Sequence, residues 1–157
     1  NLAKNFRRDK NLLDDVYVGG ILHDMGKIVF RNAHPSLMNS ILKFSEEKGI
    51  PKENFEKLSA GLNHAEIGAL IAEKWNFPEN LIAAIRHHHT PFYADPSHSA
   101  IAEAVYLANM FCNYEEGSVY FEQFDRGILA KFSISNEAQL KNIIDKFSQG
   151  FKRDGSF

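Results

Sequence analysis

The chain contains a single cysteine, Cys112, which excludes an internal disulfide framework and fits a reducing compartment. No apolar stretch approaches membrane-spanning length and no charged-then-apolar leader opens the chain, so no membrane partner is expected. Basic charge is equally scarce: 18 Lys and Arg stand against 20 Asp and Glu, a net of −2 without a long basic run. That argues against a nucleic-acid partner, which needs a phosphate-binding footprint. Alternating strand patterns, Asn-Gly hairpin signals, repeats and low-complexity tracts are all missing. What is left is a 157-residue chain expected to form one cytoplasmic globular domain, residues 1–157, with a real hydrophobic core. It begins Asn1-Leu2-Ala3-Lys4, without methionine, in what reads as the middle of an amphipathic helix. A longer parent protein, cut on its N-terminal side, is the expectation.

Apolar residues do recur at helical spacing. Residues 2–8 read as a helix tail, and Asp14 or Asp15 can open the next helix, carrying Val18, Ile21, Leu22 and Met25. Ile28-Val29-Phe30 is ambiguous between helix and extended chain. From Pro35 a helix faces Leu37, Ile41 and Phe44 inward and closes at Gly49-Ile50-Pro51, and Phe55 with Leu58 marks a short one after it. The stretch 31–62 carries polar turns and no distinct chemistry. Asn63-His64-Ala65-Glu66 reads as a capping box whose helix buries Ile67, Gly68, Ile71 and Trp75. Pro78 starts a helix with Leu81, Ile82 and Ile85 on one face; His88 and His89 continue that face until Thr90-Pro91 stops it. The longest pattern is His98, Ile101, Ala102, Val105, Ala108, Asn109 and Cys112, and Gly117 ends it. The last, Leu140, Ile143, Ile144 and Phe147, starts near Ser135 or Asn136 and closes at Gly150, leaving 150–157 as a frayed tail. The fold class is all-α, an irregular bundle of roughly six to eight short helices.

Within this pattern the chemistry concentrates at Gly20-Ile21-Leu22-His23-Asp24-Met25-Gly26-Lys27. Gly20 sits one turn before the His23-Asp24 pair and leaves open floor beneath it. Gly26 can end the helix in a left-handed turn, with Lys27 at its edge. An adjacent imidazole and carboxylate make half of a metal site beside a cation able to hold an anion. His64 lies on an inward stripe at a helix start, where the imidazolium is disfavoured and a neutral, coordinating ring is expected. Four helices thus direct polar groups inward: His23 with Asp24, His64, His88 with His89, and Asn109. Each alone is best read as a hydrogen-bonded core residue. As a set they favour a shared site, because every buried imidazole nitrogen needs a partner. His34 and His87 read as surface residues or loop caps, and His98 as structural.

The ordered series "ILHDMGKIVF", "NHAEIGALIAEKW" and "AIRHHHTP" resembles the HD superfamily of metal-dependent phosphohydrolases. The run "HAEIGALIAEKWNFPENLIAAIRHHHTP", followed by "AEAVYLANMF", is similar to its regulatory branch, the HDOD domain, over roughly residues 1–115. That likeness implies an HD-like half of a domain in a bacterial signal-transduction protein, acting as a regulatory module without hydrolase activity. It implies a divalent metal (Mn, Fe, Mg or Zn) held by His23, Asp24, His64, His88 and His89. It also implies a degenerate ligand position at Asn109, where catalytic relatives carry a final aspartate, and a first histidine upstream of Asn1. A neutral amide is a poorer ligand for a hard cation than a carboxylate. The motif that marks cyclic-di-GMP phosphodiesterases of the HD-GYP type is absent, since Thr90-Pro91-Phe92-Tyr93 follows His89. The alternative is a metal-dependent phosphohydrolase acting on a nucleotide or cyclic dinucleotide. In it Asp24 and Lys27 are catalytic, Lys27 stabilising the developing negative charge. Implied partners are other signalling proteins, domains of the same longer chain, or a nucleotide; a homodimer through the apolar C-terminal helix stays open.

Overall fold

The computed structural model describes residues 10–33 and 35–154, with side chains through residue 146. The expected helix tail at 2–8, His34 and the last three residues lie outside this range, as does the side chain of Phe147. Among the described residues the chain is helical and contains no strand. Among these described residues no helix is long and apolar enough to cross a membrane. The chain divides into two compact units, Asn11–Tyr106 and one built chiefly from Leu107 onward.

In the first unit, α1 (Lys10–Leu22) is followed after a two-residue turn by α2 (Met25–Ala33), then α3 (Pro35–Lys48), α4 (Lys52–Ala60), α5 (His64–Lys74) and α6 (Glu79–His87). A 3-10 turn at Pro91–Tyr93 leads into α7 (Ser99–Glu115), which continues into the second unit. The start of α5 is the capping box read from sequence: the Asn63 side chain accepts from the Glu66 N–H, and the Glu66 carboxylate accepts from the Asn63 N–H. Gly49 and Gly61, with φ of 62° and 79°, terminate α3 and α4 in left-handed turns.

Three apolar clusters hold this unit. Leu81, Ala84, Ile101 and Val105 pack with Leu12 and Val16; Phe30, Met38 and Ile41 with Leu37, Phe55 and Ile67; and Ala69, Ala72 and Ile85 with Leu22 and Met25. The face that α1 buries is therefore Leu12, Val16 and Gly19, whereas Ile21 is 63% exposed and Val18 also faces out. Two overlapping stripes exist on α1, and the one with the small residue fits against Ala84 and Val105. Other inward assignments also fail: Trp75, Phe44 and Ala108 are exposed.

Gly26 corrects another expectation. It lies inside α2 and has no left-handed conformation. Its hydrogen side faces α5 so closely that a Cβ there would fall 1.9 Å from the His64 carbonyl oxygen and 2.7 Å from the Gly68 nitrogen. The missing side chain serves backbone contact between two helices, not helix termination. Ile28-Val29-Phe30 is helical, and Phe30 enters the core.

In the second unit, α8 (Arg126–Lys131) is capped by Asp125, whose carboxylate accepts from the Ile128 N–H at 2.9 Å. The Asn136 side chain accepts from the Gln139 N–H at 3.0 Å and opens α9 (Glu137–Asp154), which runs past the expected stop at Gly150. Phe124, Ile128, Leu129, Ile134, Leu140 and Ile144 are buried here, with Phe111 and Tyr114 ringing Phe124. Cys112 is exposed rather than on an inward face.

Candidate metal centre

Three segments of the first unit bring polar groups to one place. His23 and Asp24 occupy the turn between α1 and α2; His64 is the first residue of α5; His88 caps α6 and His89 follows it. The Gly26–Gly68 approach of α2 to α5 sets the His23-Asp24 turn beside His64, so the site's geometry rests on backbone packing. His64 and His88 are buried, at 1% and 0% exposure, and His23, Asp24 and His89 are partly so.

The Nε2 atoms converge. His64 Nε2 lies 3.0 Å from His89 Nε2, 3.3 Å from His88 Nε2 and 3.3 Å from Asp24 Oδ1, and Asp24 Oδ1 is 3.7 Å from His88 Nε2. Two sets of donors each fall within 4.8 Å: His64, His88 and His89, and His23, Asp24 and His88. Nitrogen and oxygen ligands bound at about 2.1 Å to one cation sit roughly 3.0–3.4 Å apart, the spacing seen here.

The opposite ring nitrogens face away from the centre. His23 Nδ1 donates to the Gly20 carbonyl and His88 Nδ1 to the Ile85 carbonyl, each at 2.7 Å. A carbonyl offers no proton, so both rings carry theirs on Nδ1 and turn an Nε2 lone pair inward. His64 Nδ1 donates to Glu56 Oε2 at 2.6 Å, and His89 Nδ1 is 3.8 Å from Glu53 Oε1. His23 Nε2 and Asp24 Oδ1 are buried without an aligned hydrogen bond. Buried lone pairs aimed at a common point are what a cation satisfies and what an ordinary polar core avoids. The residues therefore fit a divalent ion.

Electrostatics agree. Burial opposes ionisation of Asp24, yet the imidazoles of His23 and His64 and the Lys27 ammonium outweigh it and hold the carboxyl far below its ordinary range. Burial, then the neighbouring rings, keeps His88 well below its usual value, and burial brings His89 down to about 3; both are neutral and able to coordinate. His64 departs from the expectation. Burial again lowers its pKa, but the carboxylates of Asp24 and Glu56 on its two nitrogens prevail and raise it. The two carboxylates, rather than the helix N-terminus, thus set the direction in which this ring is shifted.

Lys27, expected to face an anion, instead donates to Asp24 Oδ2 at 2.7 Å, so its charge is engaged by that carboxylate. Asn109 belongs to the second unit, half-buried, with its side-chain oxygen accepting from Asn113 at 3.4 Å. His87 is half-buried on α6, and His98 lies 3.6 Å from Glu79. Glu53 and Glu56 come from the stretch read as lacking chemistry. Their one trace in the sequence is the i, i+3 spacing, which an ordinary solvated helix face shares.

Among known proteins, the family model described as the HDOD domain matches residues 1–91. An uncharacterized protein of Treponema pallidum (strain Nichols) is 32% identical over 146 residues, which is 93% of this chain and 28% of that protein's length. The chain thus spans under a third of this relative. A crystal structure from Shewanella amazonensis SB2B, described there as a "Putative phosphohydrolase", aligns with a TM-score of 0.62 at 24% identity, over 84% of this chain and 49% of that one. At that identity the likeness is one of fold.

Proposed function

Because the chain belongs to the HDOD family, we propose that it is a regulatory module of a bacterial signalling protein, one that holds a divalent cation in its His/Asp cluster and does not hydrolyse phosphate esters. One observation carries the cation: the Nε2 atoms of His64, His88 and His89 converge with a buried Asp24 Oδ1 that has no aligned hydrogen bond. His23, Asp24, His64, His88 and His89 would hold it, and Mn, Fe, Mg and Zn all suit nitrogen and carboxylate donors to differing degrees.

Two features favour a binding role over turnover. Asn109 supplies a neutral amide where the resemblance to catalytic relatives places an aspartate. The Lys27 ammonium is spent on Asp24 Oδ2 instead of facing an incoming phosphate. The module would then act on other signalling proteins, or on domains of the same longer chain, in the cytoplasm. A nucleotide is the ligand class that superfamily analogy suggests.

The five matching His/Asp residues favour a second reading, a phosphohydrolase acting on a nucleotide or cyclic dinucleotide. A bound divalent cation supplies a Lewis acid that activates water and polarises a phosphoryl oxygen. In that reading Asp24 stays ionised as a ligand and Lys27 exchanges its carboxylate for the substrate's negative charge.

Purification without added ions, followed by elemental analysis and an assay for phosphate release from an aryl phosphate with manganese, separates the two. The regulatory reading expects metal without turnover, and predicts that Asn109→Asp gains activity if the missing carboxylate is the defect. Phosphate release by the native protein that His23→Ala abolishes would establish the second reading instead.

A further inference from the structure

Helix α4 contributes no atom to the centre, yet it breaks the ordinary burial rule in the centre's favour. It exposes Leu58 at 82% and buries Glu56 at 1%. Carboxylates are rarely buried without a partner, because the charge loses its hydration. Here a single oxygen, Glu56 Oε2, accepts from His64 Nδ1 at 2.6 Å and from the His64 backbone N–H at 2.8 Å. The carboxylate therefore grips both the ring and the main chain of one residue, at the N-terminus of α5. Glu53, one turn earlier, brings a second carboxylate to the outer side of the cluster, 3.8 Å from His89 Nδ1.

We propose that Glu56 is a positioning residue of this centre: it keeps a proton on His64 Nδ1 and so reserves Nε2 for a divalent cation. The proposal rests on the cation reading given above. Unlike His23 and His88, His64 has no carbonyl of its own helix behind it, because the residues one turn earlier precede α5. The carboxylate takes that place. It also adds negative charge behind the imidazole, which makes the ring a stronger donor to a cation than a carbonyl partner does.

The test uses Zn2+ as a diamagnetic probe with wild-type protein and Glu56→Gln, which removes the charge but keeps a side chain of the same size. Zn2+ affinity is read by competition with a chelator, and the His64 Nδ1 proton by 15N-correlated NMR of the loaded protein. The expected result is binding weakened about 10- to 100-fold in Glu56→Gln, with a far-downfield Nδ1 proton in wild type that moves upfield in the variant. A role confined to anchoring α5 would leave both unchanged, and an unchanged Kd overturns the proposal while the cation reading survives. Should wild type itself take up no Zn2+, the cation reading fails and the proposal falls with it. If Glu56→Gln does not fold, the wild-type spectrum decides: a protonated Nδ1 supports the assignment, and a bare or metal-bound Nδ1 rejects it.

Discussion

The two flanks of the metal centre orient their rings by different means. On one flank His23 and His88 are held by carbonyls of their own helices, three residues earlier in the chain. On the other, His64 is held by a carboxylate eight residues away, and His89 faces one 36 residues away, both on α4. The first arrangement is local: helix geometry places a carbonyl beneath any suitably turned imidazole. The second exists only when α4 packs beside α5 and α6, and it places charge where a cation can exploit it. Local structure sets the direction of a ligand, whereas tertiary contact can also tune its strength.

Several substitutions would break or sharpen this contrast. The largest effect is expected from Gly26→Ala, whose added carbon would meet backbone atoms of His64 and Gly68 that cannot yield. Urea denaturation should show a loss of about 3 kcal/mol or more, or no folded protein. Gly20→Ala is the control. It has open space at its Cβ within α1 and should stabilise by up to about 1 kcal/mol.

Next comes His64→Ala, which strands Glu56 as a buried charge. Metal-free protein should lose about 3–5 kcal/mol. His23→Ala removes a ring held by a neutral carbonyl and should cost clearly less in the same measurement, although both should abolish metal uptake in elemental analysis. Equal costs would mean that the two flanks do not differ as described.

Glu53→Gln should weaken Zn2+ binding less than Glu56→Gln does, because 3.8 Å is too long for a hydrogen bond. Chelator competition measures the ratio, and an equal loss would make the charge rather than the contact decisive.

The smallest effect concerns the cap that starts α5. Asn63→Ala should cost about 1 kcal/mol. Part of the capping box is acid-sensitive. Burial opposes ionisation of Glu66, but hydrogen bonds from Lys57 and the Asn63 N–H lower its carboxyl below the ordinary 4.5. A depressed folded value means that this contribution is complete above pH 4.5 and disappears as pH falls through the lower folded value. Urea midpoints followed from pH 6 to 3 should therefore decline slightly less in Glu66→Gln than in wild type.

Legibility in the sequence followed the range of the interaction. The capping box at Asn63 and Glu66, the stops at Gly49 and Gly117, and the start of α9 near Asn136 all involve neighbours within one turn, and all were readable. The inward stripe of α1 was not, because Val18 and Ile21 offer the same periodicity as Leu12, Val16 and Gly19. Only the facing surface of α6 and α7 decides which stripe fits. Gly26 looked like a helix stop for a similar reason: absence of a side chain permits either a left-handed turn or a close approach. Glu56 was hidden because composition cannot tell a solvated carboxylate from one bonded to an imidazole.

By itself, then, the sequence determined that the chain is helical, where several helices begin and end, and which His and Asp residues were available to meet. The tertiary structure alone decided that five of them do meet and that a helix without a ligand supplies Glu56. The reason is physical. Periodicity and caps act through neighbours along one helix, while a charged hydrogen bond between helices forms only after their backbones have packed, as α4 and α5 must before Glu56 reaches His64.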